Sequence, residues 1–217
     1  MDGAHDLGGW EGFGAVVTAG SDRSHTAGWE LRVQALALLA SGESLRPFIE
    51  GLAPDEYLAH TYFERWLLGA EQVHLERGRL SRAELDRWRD ILAENPRRLP
   101  ARSDPAAVAA VDEAMTTTGV LPPAEHPRFA VGDRVRVRRM HHSTGPCRCP
   151  RYVRGACGVV ERLCGGEPPL DLPGHPPLPV YTVAFHSPDL WGPQLGEPAF
   201  QVHVDLSEHF LAGAADD

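Results

Sequence analysis

Apolar positions recur at helical spacing through the first half of the chain and alternate two by two through the second, so the two halves predict different architectures. Trp29, Val33, Leu36 and Ala40, with Leu39 beside them, form one stripe that starts at Thr26 and stops at Gly42, an amphipathic helix. A short piece follows over 44–51 around Arg46-Pro47. Pro54, Asp55 and Glu56 then suit a helix amino terminus, opening a helical segment through Tyr57, Tyr62, Phe63, Trp66, Leu67, Ala70 and Val73 that stops by Gly78. Ser81-x-x-Glu84 is a capping box, and Leu85, Trp88, Ile91 and Leu92 give the next helix its apolar face before Pro96. Asp104-Pro105 starts one more helix, through Met115.

Gly119, Pro122, Pro123 and Pro127 then break all periodicity, which places a linker at 119–127. Beyond it the spacing predicts strands over 134–139, 156–161, 180–185 and 200–206, with a Gly/Pro-rich excursion at 165–179. In Arg134-Val135-Arg136-Val137-Arg138 the valines face one side and the arginines the other, the pattern of a half-buried strand. Short strands with glycine at the bends suggest a small barrel. Residues 1–20 are glycine-rich and without period, and read either as an extended arm or as a disordered terminus.

Composition narrows the function. Hydrophobic residues make up 42%, enough for a core, and the formal net charge of -9 offers no basic surface to nucleic acid or an anionic membrane. Asp2 and Asp6 stand where a secretory signal has basic residues, and no apolar run reaches the roughly 20 residues a bilayer needs. The expected location is cytoplasmic, with Cys147, Cys149, Cys157 and Cys164 as thiols. His141-His142 with Cys147 and Cys149 has irregular spacing for a metal site, and reads as loop histidines with small buried or interfacial thiols. No Ser/His/Asp order, phosphate loop or carboxylate pair stands out.

Two distant stretches carry a resemblance. GDRVRV at 132–137 followed by GPCRCPRYVRG at 145–155, and MDGAHDLGGWEGFG at 1–14, are similar to the β subunit of nitrile hydratases; YTVAF, LWG and VDLSEHFL extend the likeness over nearly the whole chain. The resemblance implies an α+β fold: an arm plus helical domain at 1–118 that meets an α-type subunit, the linker at 119–127, and an SH3-like β-barrel at 128–217. It implies a lyase that turns a nitrile and water into an amide, inactive as this chain alone, working as an αβ heterodimer or (αβ)2 heterotetramer. Non-corrin cobalt or non-haem iron would be bound by the partner α subunit through cysteines, two of them oxidised, with no metal in this chain.

By position within the shared motifs, Arg148 and Arg46 match the two arginines that donate to those oxidised sulfurs. The chemistry asks for arginine: a sulfinate or sulfenate is an oxyanion, and a planar, permanently charged donor can bond two oxygens at once. Each is otherwise a surface arginine paired locally. Tyr62 and Trp66, at i and i+4 in HTYFERW, match aromatics of the substrate pocket or else form a core stripe, with Phe63 packed inside the helical domain. Related alternatives are a thiocyanate hydrolase subunit and a non-enzymatic metallochaperone of the same superfamily.

Overall fold

The computed structural model describes residues 3–8, 10, 12–14, 27–41, 44–98, 104–116, 121–141, 147–193 and 198–214. Thr26, Gly42, Gly119, His142, Pro146 and residues 15–20 of the arm lie outside the described residues, as do the side chains of Leu39 and Ala40. The chain divides into two compact units, Gly14–Thr118 and, together, Met1–Phe13 with Gly119–Asp217.

The first unit is helical: α1 (Gly28–Ser41), α2 (Arg46–Glu50), α3 (Pro54–Ala59), α4 (Tyr62–Glu76), α5 (Arg82–Glu94) and α6 (Pro105–Thr116). Its inner cluster is Ala37, Leu45, Ala70 and Val73, with Phe48, Ile49 and Trp66 packed around it. In α1 the inward residues are Val33 and Ala37, while Trp29 and Leu36 face out. The inward face is thus rotated from the predicted stripe, because GWELRVQALALLAS is apolar nearly all round and leaves its orientation to packing. The single helical segment expected from Pro54 to Val73 is two helices. Thr61 and Glu64 form a second capping box: Glu64 accepts from the Thr61 N–H at 2.7 Å and from its hydroxyl at 2.8 Å, which starts α4 afresh. These bonds also hold the Glu64 carboxyl below its usual range. The box expected at Ser81 is present, and Glu71 ties α5 to α4 through Arg82 (2.6 Å) and Arg89 (2.7 Å).

The second unit is built on a five-stranded antiparallel sheet of order β4-β3-β2-β1-β5: β1 (Arg134–Val137), β2 (Cys157–Glu167), β3 (Leu178–His186), β4 (Gln201–Ser207) and β5 (Leu211–Gly213). Among the described residues the sheet ends at β4 and β5 and does not close, so the closure expected of a barrel is not seen. Two short elements were not anticipated, β5 and a one-turn helix α7 (Ser187–Trp191). The excursion after β2 is shorter than expected, since β2 runs on to Glu167 through two register shifts and β3 starts at Leu178.

Val135 and Val137 are buried as the alternation requires, and join Val160, Tyr181, Val183, Phe185, Leu206, Phe210 and Leu211 in one core. Gly158 is needed there: a Cβ would sit 2.6 Å from Val183 Cγ1 and 2.9 Å from Phe185. Buried Glu208 accepts from the Tyr181 hydroxyl at 2.6 Å and the Arg128 N–H at 2.7 Å, fixing the end of the linker to the sheet. No helix among the described residues is long and apolar enough to cross a membrane.

Candidate functional site

Arg148 stands on the loop between β1 and β2, and its neighbours in sequence decide how it is held. Cys147 is 6% exposed and Cys149 is fully buried, both in the core of the sheet, so the exposed Arg148 side chain rises from a segment anchored on either side. Pro150 is extended (φ -59°, ψ 142°) and leads into a 3-10 turn at Arg151–Val153.

The clamp on this loop is Arg154, the last arginine of GPCRCPRYVRG, whose role the motif alone does not give. Its Nε and Nη2 donate to the Cys149 carbonyl at 3.1 and 2.7 Å, its Nη1 to the Met140 carbonyl at 2.9 Å, and Nη2 reaches Cys147 Sγ at 3.7 Å. One planar fork thus fastens both limbs of the loop, a task for which lysine lacks the geometry. Burial pushes the Cys147 thiol up, against the weaker pull of the Arg154 charge, and pushes Cys149 to about 12.

The arm docks beside this loop. Its described residues lie on the sheet unit of their own chain. Asp6 accepts from the Arg151 N–H at 3.0 Å and from Nε at 3.2 Å, and the Arg151 guanidinium lies 5.3 Å from the Trp10 ring. Gly8 presses on Tyr152, where a Cβ would come within 2.3 Å of the ring, and Tyr152 stacks on Trp191 at 5.7 Å.

A cleft on the same unit is lined by Arg148, Ser207, His209 and Phe210 and by two carboxylates, exposed Glu167 and the more buried Asp171. His209 Nε2 lies 3.1 and 3.0 Å from the two Asp171 oxygens and its Nδ1 3.0 Å from Ser207 Oγ, so a Ser/His/Asp chain hidden by sequence order is assembled in space.

Arg46, Tyr62 and Trp66 belong to the helical unit. Arg46 is exposed at the first residue of α2, and its N–H lies 3.3 Å from Ser44 Oγ; Pro47 stands at the second helical position, where a proline loses no hydrogen bond. α2 is fixed against α4 by buried Leu45 and by Ile49, whose Cγ1 approaches Gly69 so closely that a Cβ there would be 2.9 Å away. Tyr62 opens α4 and is 60% exposed. Trp66 lies one turn on, its ring 5.6 Å from that of Tyr62, and packs by its other side on the helical core; Phe63 is buried. Among the described residues no group of three or more His, Cys, Asp or Glu could hold a metal ion, and His141 stays outside any such group.

Comparison with known proteins matches the N-terminal family model of the nitrile hydratase β subunit over residues 1–116, and the C-terminal family model of that same subunit over 120–213. The nitrile hydratase subunit β of Pseudomonas putida is 32% identical over 99% of this chain and all of its own length. The low-molecular weight cobalt-containing nitrile hydratase subunit β of Rhodococcus rhodochrous is 31% identical with the same coverage. The cobalt-containing nitrile hydratase subunit β of Pseudonocardia thermophila is 30% identical over 97% of this chain and 96% of its own. A recombinant apo thiocyanate hydrolase from Thiobacillus thioparus superposes on 53% of this chain and 100% of its own at a TM-score of 0.40 and 24% identity, too loosely to carry an argument.

Proposed function

The chain belongs to the family of nitrile hydratase β subunits, and from that premise we propose that it supplies the anion-holding arginines and part of the substrate pocket of a nitrile hydratase. The reaction adds water across the nitrile triple bond, R–C≡N + H2O giving R–CONH2. Non-corrin cobalt or non-haem iron, bound by an α-type partner, would supply the Lewis acid. On the same proposal the sheet unit is the family's SH3-like barrel domain at 128–217, joined by the linker at 119–127 to the arm and helical domain at 1–118. The assembly is an αβ heterodimer or a pair of them in the cytoplasm.

The observation that carries the proposal is the way Arg148 is mounted. Its two neighbours are core residues and the loop carbonyls on both sides are clamped by Arg154, while its own side chain faces outward. A guanidinium on such a mount loses little freedom on meeting an oxyanion, and its fork can donate to two sulfur-bound oxygens at once. Arg46, exposed on a helix fixed by Leu45 and Ile49, is assigned the second donor role, and Tyr62 with Trp66 the pocket wall.

Arg148→Lys keeps the charge and loses the fork. In a complex co-expressed with the α-type partner, assembly and metal content are expected to stay normal while turnover falls about a hundredfold, near 2.7 kcal/mol of transition-state stabilisation. A normal rate at full metal content removes Arg148 from the site. This chain purified alone is expected to hydrate no nitrile.

A further inference from the structure

Asp171 takes no part in the clamp that mounts Arg148. Its side chain is only 6% exposed, and it lies in the turn that follows β2. A carboxylate accepts and never donates, so the His209 proton that meets it is on Nε2, and in the neutral ring Nδ1 accepts from the Ser207 hydroxyl. The ring also lies against Phe210, centroid to centroid at 3.8 Å. Both nitrogens and one face of His209 are therefore fixed, and fix Asp171 in turn.

Between Ser207 and His209, Glu208 points the other way into the core toward Tyr181, which leaves Ser207 and His209 on the side of the cleft. A buried carboxylate whose ring partner meets it by one N–H still has lone pairs to satisfy, and a nearby guanidinium lowers the cost of burying it. Arg148 lines that same cleft. The Asp171 field also reaches the loop itself, since it adds to burial in raising the Cys147 thiol.

We propose that Asp171, held by His209, is a positioning residue for Arg148: it takes one edge of the guanidinium and turns the other toward the partner's anion. The inference rests on the role assigned to Arg148. A carboxylate behind an arginine restricts the rotation that a lone surface guanidinium would keep, so the donor reaches its target already oriented.

A double-mutant cycle on the co-expressed complex tests it. Asp171→Asn is expected to lower kcat about tenfold with KM nearly unchanged in the parent, and to lower it no further in an Arg148→Lys background, because a residue acting through Arg148 has nothing left to position. A parental rate for Asp171→Asn, or the same loss in both backgrounds, overturns the proposal. If Asp171→Asn does not assemble, the pair at His209 decides. His209→Gln, which still offers an N–H to Asp171, is expected to retain most of the rate and His209→Leu to lose it, whereas equal rates overturn the proposal.

A readout independent of the metal is the exchange of the Arg148 Nε proton, followed by NMR on the isolated full chain. It is expected to accelerate about tenfold or more in Asp171→Asn, in line with loss of a protecting hydrogen bond, and unchanged exchange overturns the inference. A fast Arg148→Lys enzyme would sink the Arg148 role itself; a slow Arg148→Lys with a normal Asp171→Asn sinks only the positioning by Asp171.

Discussion

The sheet unit and the helical unit spend their apolar residues differently. In the sheet unit Tyr181, Phe185, Phe210, Leu206 and five valines are essentially out of contact with solvent, and even two cysteines belong to that core. In the helical unit the buried cluster is made of smaller or fewer side chains, although both units leave large apolar groups outside, Trp29, Leu36, Leu67 and Tyr62 here and Trp10, Phe13, Val131 and Phe200 there. A unit that closes its own core can hold one side chain still, which suits the mount of Arg148. A unit with so small a core of its own has its exposed apolar side chains to give to another chain. On the proposed function that chain is an α-type subunit.

The contrast can be broken most forcefully by truncating one residue on each side of it. Phe185→Ala in the sheet core is expected to cost about 3 to 5 kcal/mol, while Leu67→Ser on the open face of α4 changes the isolated chain by less than about 0.5 kcal/mol and weakens capture of the co-expressed partner. Thermal unfolding of the isolated chain and co-purification of the partner read the two; equal destabilisation would erase the distinction between the units.

The next effect in size sharpens the sheet side. Tyr181→Phe leaves buried Glu208 with one donor fewer, at a cost of about 1 to 3 kcal/mol. Burial, and then the bond to Glu208, push the Tyr181 hydroxyl up to about 12. A phenol whose folded value is raised stabilises the fold fully below its unfolded value near 10 and loses that contribution as pH climbs from there to about 12. Alkaline unfolding curves of parent and Tyr181→Phe should therefore converge across that window, and curves that stay parallel would remove Tyr181 from the pH response.

The smallest effect concerns the helical side. Trp66→Ala in the assembled enzyme is expected to shift the preference between aromatic and aliphatic nitriles about fivefold, near 1 kcal/mol, with metal retained. Equal losses for every nitrile with a lowered melting temperature would mark Trp66 as packing, the role its contact with the Ala37 and Leu45 cluster already favours in part.

What could be read in the sequence was whatever local spacing encodes. The valine–arginine alternation located β1, and Ser81-x-x-Glu84 located the start of α5, because both signals span only a few residues. Thr61-x-x-Glu64 carried the same capping signal and was overrun by the apolar stripe around it, so two helices were read as one. Strand β5 is three residues long, too short for any period to register. Arg148 could be singled out by its motif, whereas its clamp Arg154 needed the fold of the loop. The contact of Asp171 with His209 spans 38 positions and joins strand ends that only the sheet brings together. The docking of the arm on the sheet unit was not legible because Asp6 is one acid in a glycine-rich stretch, and its bonds to Arg151 across 145 residues leave no local trace.

The burial of Cys147 and Cys149 bears on how long such a protein survives in use. Sulfur is attacked by oxidants chiefly as thiolate, and burial, which pushes the Cys149 thiol up to about 12, keeps it protonated at neutral pH. The two cysteines that flank Arg148 are thereby made into spectators of oxidation. Ageing in air should begin elsewhere, at the more open Cys157 and Cys164, and leave the mount of the arginine intact until the sheet itself gives way.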